Sequence, residues 1–456
     1  MRLYNTLTRT RHEFTPLGEE VLMYVCGVTT NDRPHLGHAL SSIVFDVLHR
    51  YLEFKGLKVK RVQNFTDVDD KIINRANQDG VTPEELSERN IAAFFEDMDA
   101  LNVRRATVHP RATEEIPEII AMIETLIERG AAYEADDSVY FRVRSDADYG
   151  KLSRRTLEDM LEGTRFDNEE HKEDPADFAL WKASKAGEPA WDSPWGQGRP
   201  GWHIECSAMA NHHLGRQIDI HGGGLDLIFP HHENELAQTE TALGVNPFSQ
   251  FWVHNGLLKL AGDEKMSKSL GNVVTVQDAR AKYSSDAIRL WVLQSHYRSP
   301  SVLIDTSFDQ AETALRSIRI ANNVTPHSGG EKFDATPLRQ RFVEAMDDDL
   351  NTPRAIAALF DVCHAINREH GAGHDISSLK NVLSEITGVF GLTLEEPEQE
   401  EQVGGITADE VEQLIADRAT ARTERRWADA DAIRDRLQEA GIAIADGPSG
   451  TTWSRI

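Results

Sequence analysis

Between Glu20 and Phe65 the chain spells out a strand, a polar loop, a helix and a second strand. Val21, Leu22, Met23, Tyr24 and Val25 form a short apolar run ending at Cys26-Gly27, the pattern of a buried strand over Glu20–Val25. From Leu36 to Phe54, apolar residues Ile43, Val44, Val47, Leu48, Tyr51 and Leu52 recur at helical spacing, and Gly56 ends the run. Lys58 to Phe65 reads as the next strand. A strand–helix–strand unit of this length makes its strands parallel and collects ligands in the crevice beyond their carboxyl ends. The expected fold class is therefore α/β, with a Rossmann-like parallel sheet. The loop entering the helix carries His35-Leu36-Gly37-His38. Free backbone N–H groups and the helix dipole favour anions at such a place. Gly37 admits a ligand close to the backbone, and two histidines can donate hydrogen bonds to charge developing on a phosphoryl group. The plainer reading has one histidine capping the helix and the other on the surface.

Helical patterns follow: Val68 to Gln78, stopped by Gly80; a capping box at Thr82-Pro83-Glu84-Glu85 opening a helix toward Leu101; and a helix opened by Thr113-Glu114-Glu115 and ended by Gly130. A hairpin is expected over Ala132–Arg144 with its turn at Asp136-Asp137, whereas Lys172 to Gly201, rich in Trp, Pro and Gly, reads as irregular. A strand at Gln217–Ile220 leads into His221-Gly222-Gly223-Gly224, and a helix is expected to start near Pro230. From about Thr306 helical patterns run to about Phe390, followed by an acidic, Pro-containing linker and a small terminal unit. This divides the chain into a catalytic region over 1–305 with an inserted connective part, a helical bundle over 306–395, a linker over 396–405 and a small domain over 406–456.

A second motif is Lys265-Met266-Ser267-Lys268-Ser269, with Gly262 and Gly271 on either side. Two lysines on such a loop can close over a triphosphate and neutralise the leaving pyrophosphate. Alone it would be a solvated turn. A third constellation joins Cys26, Cys206, His231 and Glu235. His231 and Glu235 stand four apart and so share one helix face. Thiolate, imidazole and carboxylate are all zinc ligands, here drawn from separate elements converging on the crevice. The competing reading makes both cysteines small buried hydrophobes and Glu235 a solvated side chain. His232-Glu233-Asn234-Glu235-Leu236 is not a metalloprotease motif, because Leu236 stands where the second His is required. Cys363, on an apolar helical pattern, reads as core.

With the His35–His38 and Lys265–Ser269 motifs in this order, the chain resembles class I aminoacyl-tRNA synthetases. Tyr24-Val25-Cys26-Gly27, Asn64 through Ile72, Phe178-Ala179-Leu180-Trp181-Lys182, Pro194 through Met209, His221 through Glu235 and the terminal Trp427–Asp435 and Gly450–Trp453 segments resemble the cysteinyl-tRNA synthetase family in particular. That resemblance implies Cys26, Cys206, His231 and Glu235 as ligands of one Zn2+ that receives the substrate thiol. It further implies His35, His38, Asp226 and Lys268 around ATP, with Lys265 assisting, and Gly27, Thr66, Trp202 and His221 around cysteine. Magnesium is expected with ATP. The partners implied are cysteine, ATP and the cognate tRNA, whose 3′ end receives the cysteinyl group. After Cys26-Gly27 the family usually has Pro-Thr-Val-Tyr-Asp, and this chain has Val28-Thr29-Thr30-Asn31-Asp32.

The net charge of −26 works against phosphate recognition, so RNA contact must come from local basic clusters: Lys55, Lys58, Lys60 and Arg61; Arg104 and Arg105; and Arg418, Arg422, Arg425, Arg426, Arg434 and Arg436, the first four of which are expected to share a helix face. Three cysteines suit a reducing compartment, and no signal-peptide or membrane-spanning run is present; a cytoplasmic monomer is expected. The alternatives are a cysteine ligase acting on an amino sugar, of the mycothiol-pathway type, a catalytically dead RNA-binding relative and a structural zinc protein. The first has no use for the 150 or so residues after Thr306. The second should have lost motif residues, and the third leaves the lysine loop unexplained.

Overall fold

The computed structural model describes residues 1–158, 171–260, 274–326, 330–395, 408–423, 426–447 and 450–455. These form two compact units, Met1–Leu394 and Glu395–Ile456. The first opens with an antiparallel pair, β1 (Arg2–Asn5) and β2 (Thr10–Glu13), and then enters the main sheet at β3 (Glu20–Thr29). Helix α1 (Leu36–Phe54) crosses to β4 (Lys58–Thr66), at the bounds expected from the periodicity for the helix and one residue longer for the strand. Helix α2 (Asp70–Asp79) starts two residues later than expected, because Asp69 caps it by accepting from Lys71 N, and Gly80 closes it at φ 69°. The capping box of α3 (Pro83–Ala100) is present, with Thr82 and Glu85 bonding each other's backbone N–H. Helix α4 (Ile116–Glu128) also begins later than expected. Thr113 is diverted to Asp67, its N–H and hydroxyl donating at 3.0 and 2.6 Å.

Strands β5 (Ala132–Ala135) and β6 (Ser138–Phe141) make the expected hairpin, with Asp136 and Asp137 both at positive φ. The segment read as irregular is so only in part: β7 (Phe178–Ala183) and β8 (Gly198–Pro200) extend this hairpin into a four-stranded antiparallel sheet, with a loop between them. The glycine and tryptophan content that suggested loops serves close packing. A Cβ at Gly198 would lie 2.2 Å from the Trp181 indole nitrogen. This inserted sheet has its own core, including Ile119, Ile123, Phe141, Leu180 and Trp181.

The chain returns to the main sheet through α5 (Trp202–Leu214), β9 (Ile218–Gly224), α6 (Glu233–Leu243) and β10 (Ser249–Asn255). All four main strands are parallel, in the order β10-β9-β3-β4. Strand β9 runs on through the glycines that were expected to follow it, because α1 packs tightly there: a Cβ at Gly222 would meet the Phe45 ring at 2.2 Å. Helix α6 begins at Glu233 rather than Pro230, after a single wide turn over Ile228–His232. Strands β11 (Leu258–Leu260) and β12 (Ser301–Leu303) pair in parallel, flanking α7 (Val276–Arg280) and α8 (Ser285–Leu293). Helices α9 (Ser307–Asn323), α10 (Thr336–Asp347), α11 (Thr352–Gly371) and α12 (Ser377–Phe390) complete the unit. Cys363 lies in their shared core.

The buried Asp46–Arg289 pair ties these layers together. Asp46 on α1 accepts from Arg50 Nε at 2.8 Å and Arg289 Nη2 at 2.7 Å, while Arg289 also donates to Phe390 O at the end of α12. The second unit comprises α13 (Ala408–Thr423), α14 (Trp427–Glu439) and the hairpin β13 (Ile442–Gly447) and β14 (Gly450–Arg455). The linker over 396–405 lies outside the described residues. Among the described residues no helix is long and apolar enough to cross a membrane.

Candidate functional site

Strand β3 pairs with β4 on one side and β9 on the other, so the chain's direction of winding reverses between β3 and β9, where an α/β sheet opens its ligand crevice. The carboxyl ends of the strands supply that crevice. A register shift between Val25 and Val28 bends β3 at Cys26, as a bulge does when it re-aims a side chain. Gly27 is required there, since a Cβ would stand 1.6 Å from Asn64 O. Its N–H donates to Asn64 Oδ1 at 2.9 Å.

Beneath this bend Cys26, Cys206, His231 and Glu235 converge, all buried, with one donor atom from each lying within 4.8 Å of the others. Cys206 comes from α5. His231 comes from the wide turn before α6 and Glu235 from the first turn of α6, and they face each other, Nε2 to Oε1, at 2.9 Å. The Cys26 thiol donates to the same oxygen at 3.2 Å. His203 Nδ1 lies 2.9 Å from His231 Nδ1, and the Trp202 ring stacks on His231 with centroids 4.3 Å apart. Both contacts fix the imidazole with Nε2 toward the cluster. Burial pushes the Cys26 thiol well up, helped by the neighbouring Cys206. Cys206 is brought down to about 6: burial opposes this, but its hydrogen bond with Cys26 and the His231 charge prevail. Against its own burial, His231 is held at about 10 by Glu235. Glu235 in turn, although burial pushes it up, is held well below the carboxylate range by His231 and His221.

A divalent cation fits this donor set. Glu235 Oε2 is buried and has no aligned hydrogen bond, its neighbour being His221 Nε2 at 3.2 Å, and two sulfurs, one imidazole and one carboxylate are ligands of borderline-soft metals such as zinc. A second quartet overlaps the first: Cys26, His221, His232 and Glu235 also lie within 4.8 Å. His232 spans Cys26 Sγ (3.2 Å from Nε2) and His254 Nε2 (2.8 Å from Nδ1), and His254 Nδ1 reaches Thr6 Oγ1 at 2.8 Å. Its adjacency to His231 was the visible signal for this second layer. Asn64 and His203 were visible only within the stretches that resemble the family, and His254 had no signal, because residues on separate elements converge without a spacing rule.

Thr66 and His221 lie in the same crevice. Thr66 Oγ1 donates to buried Glu205 at 3.0 Å, and His221 Nε2 is 3.2 Å from Glu235 Oε2. Asp226 stands apart, exposed on the short turn after β9. At the mouth of α1, His35 is the N-cap. Its Nδ1 accepts from Gly37 N at 3.1 Å, His38 Nδ1 accepts from His35 N at 3.3 Å, and the rings stack 3.7 Å apart. With both Nδ1 atoms accepting, each neutral ring carries its proton on Nε2. The capping expected by the plainer reading is therefore present, and His35 makes it.

Lys265 and Lys268 lie outside the described residues. The chain resumes against the histidine loop, with Leu36 N donating to Val274 O and Val276 N to Pro34 O, each at 3.1 Å. Val28, which stands where the family pattern has Pro, and the Thr29 after it continue β3 opposite Phe65 and Thr66. Asn31 borders a cavity of about 490 Å3 with Arg33, Arg75 and Arg89.

Comparison with known proteins places the chain in a family. Residues 13–313 match the model of the class I (C) tRNA synthetase catalytic domain, 341–395 the DALR domain, and 407–453 the cysteinyl-tRNA ligase anticodon binding domain. The chain is 50% identical over 456 residues to a cysteine–tRNA ligase of Dehalococcoides mccartyi, covering 99% of each. It is 49% identical over 470 residues to the one from Caldicellulosiruptor saccharolyticus, covering 100% of each. In fold it is similar to methionyl-tRNA synthetase of Mycobacterium tuberculosis in complex with methionyl-adenylate, with a TM-score of 0.59 at 15% identity over 83% of this chain and 88% of that one. The chain belongs to the cysteine–tRNA ligase family of class I aminoacyl-tRNA synthetases.

Proposed function

We propose that this chain activates L-cysteine with ATP and transfers it to the 3′ end of its tRNA, with Cys26, Cys206, His231 and Glu235 holding one zinc ion. The observation that carries the reading is this buried quartet at the β3/β9 crevice of the fold whose α1 N-terminus carries His35 and His38. Cysteine and serine differ by one atom, and a shape pocket separates such near-isosteres poorly. When bound, zinc supplies a soft Lewis acid that prefers a thiolate to a hydroxyl, so selection can rest on the metal without editing.

In the first step a cysteine carboxylate oxygen attacks the α-phosphorus of ATP and pyrophosphate leaves. His35 and His38 sit where their Nε2–H groups can donate to the phosphoryl oxygens, the position the N-terminus of α1 also favours for anions. Lys268, and Lys265 beside it, would neutralise the leaving pyrophosphate. Lys268 precedes Val274 by six residues, a reach of at most about 20 Å. Gly27, Thr66, Trp202 and His221 surround the amino acid, and Asp226 serves the nucleotide side, with magnesium accompanying ATP. In the second step a hydroxyl of the terminal tRNA ribose attacks the carbonyl carbon and AMP leaves. Residues 1–305 carry the adenylation chemistry, 306–395 dock tRNA and 406–456 read the anticodon. The buried free thiols suit a cytoplasmic enzyme, and the family resemblance favours a monomer. An amino-sugar ligase leaves the match to an anticodon binding domain without a role.

The test is cysteine-dependent ATP–pyrophosphate exchange combined with metal analysis. Cys206→Ser is expected to lose zinc and exchange together. Full activity in a zinc-free variant would contradict the reading.

A further inference from the structure

Away from the crevice, the start of α4 meets the end of α5. Glu115, the buried N-cap residue of α4, turns its two carboxylate oxygens toward two consecutive histidines. Oε2 lies 2.6 Å from His212 Nδ1 and Oε1 lies 2.7 Å from His213 Nε2. One donor atom from each of the three residues lies within 4.8 Å of the others. Glu118 Oε1 stands a further 4.0 Å from His212 Nδ1. A cavity of about 250 Å3 opens beside His212 and Glu118. We propose that Glu115, His212 and His213 form a second divalent-metal site of this chain, one without sulfur.

Consecutive residues on a helix normally point apart by about 100°. Here His212 uses Nδ1 and His213 uses Nε2, so the nearer nitrogen of one ring and the farther nitrogen of the other meet the same carboxylate. Two imidazoles and a carboxylate suit Zn2+ and its neighbours among the divalent transition metals, with room on the cavity side for water or Glu118 to complete the coordination. Both histidines occupy the last turn of α5, where the helix dipole favours a cation. Lys60 is close, but its ammonium is engaged by His213 O at 2.7 Å and not by a ring nitrogen. On binding, each facing nitrogen gives up its proton, to the other nitrogen of a neutral ring or to solvent from a charged one, so that the ion meets two neutral imidazoles and no oxidation state changes. The ion would clamp α4 to α5, and Cys206 lies on α5 about 9 Å along the helix from His212.

The full-length protein is titrated with zinc against a chromogenic chelator and, separately, loaded with cobalt. The site predicts a zinc equivalent that His212→Gln and His213→Gln each weaken at least tenfold or so, since even losing a residue that merely orients a ligand costs about 10–100-fold. Cys206→Ser leaves that equivalent in place. Its cobalt form lacks the sulfur-to-cobalt charge-transfer band that a thiolate site shows. Both histidine variants keep cysteine-dependent pyrophosphate exchange, which also confirms that they fold. If no zinc equivalent responds to either histidine substitution, or if the responsive one carries the sulfur band, the proposal is overturned.

Discussion

His35 caps α1 through Nδ1, and the proposed reaction gives its Nε2–H a second task at the phosphoryl group; the two separate by substitution. His35→Ala should lose about 1 kcal/mol with the cap and about 100- to 1,000-fold in kcat with the donor. His35→Ser, a good cap too short to reach substrate, should recover the melting temperature and not the rate; recovery of both would show that capping is the only task. The two overlapping quartets also separate. His232→Gln should retain zinc, since His232 belongs only to the second set, and its loss of metal would favour that set. At this scale the local motifs were legible: His35–His38 and the His231/Glu235 pair declare themselves by spacing. Asn64, which holds Gly27 and stands 3.8 Å from Cys206 Sγ, was legible only as part of a family stretch, because its role depends on β3 and β4 meeting.

Among the elements, α1 was readable to its last residue because its apolar stripe, its cap and Gly56 all agree. The strands β7 and β8 were not, since the Trp181 ring and Gly198 meet only once the two strands lie side by side. Helix α1 also carries the carboxylate on which the layers depend. Burial pushes Asp46 up, but the guanidiniums of Arg289, Arg50 and Arg61 outweigh it and hold the carboxyl below its ordinary value. A lowered folded pKa means that the stabilisation is complete above the unfolded value of about 4 and fades as the pH falls through the folded one. Asp46→Asn should cost about 3–5 kcal/mol at pH 7, the penalty for leaving a buried partner charge uncompensated. Urea unfolding at descending pH should show the gap to wild type closing below about pH 4. A gap independent of pH would mean that the charge is not what Asp46 contributes.

For the whole molecule, the acidic balance is reconciled with RNA binding less simply than basic clusters suggest. Arg104 pairs with Glu53, Arg105 with Asp99 and Arg434 with Asp431 and Asp435. The expected four-arginine face does not form as a single helix. Helix α13 ends at Thr423, and Arg426 N closes back on Ala421 O at 2.8 Å, placing Arg426 between two helices. Arg418 and Arg422 keep their four-residue spacing on α13, and Arg425 lies outside the described residues. Deleting 406–456 should spare cysteine-dependent pyrophosphate exchange and weaken tRNA binding, read by filter binding; equal tRNA affinity would remove the terminal unit from recognition. The most direct test of the function is transfer of labelled cysteine, with ATP, to total tRNA, run beside an amino-sugar acceptor. Label on the tRNA 3′ end is the expected result, and label on the sugar alone would contradict it.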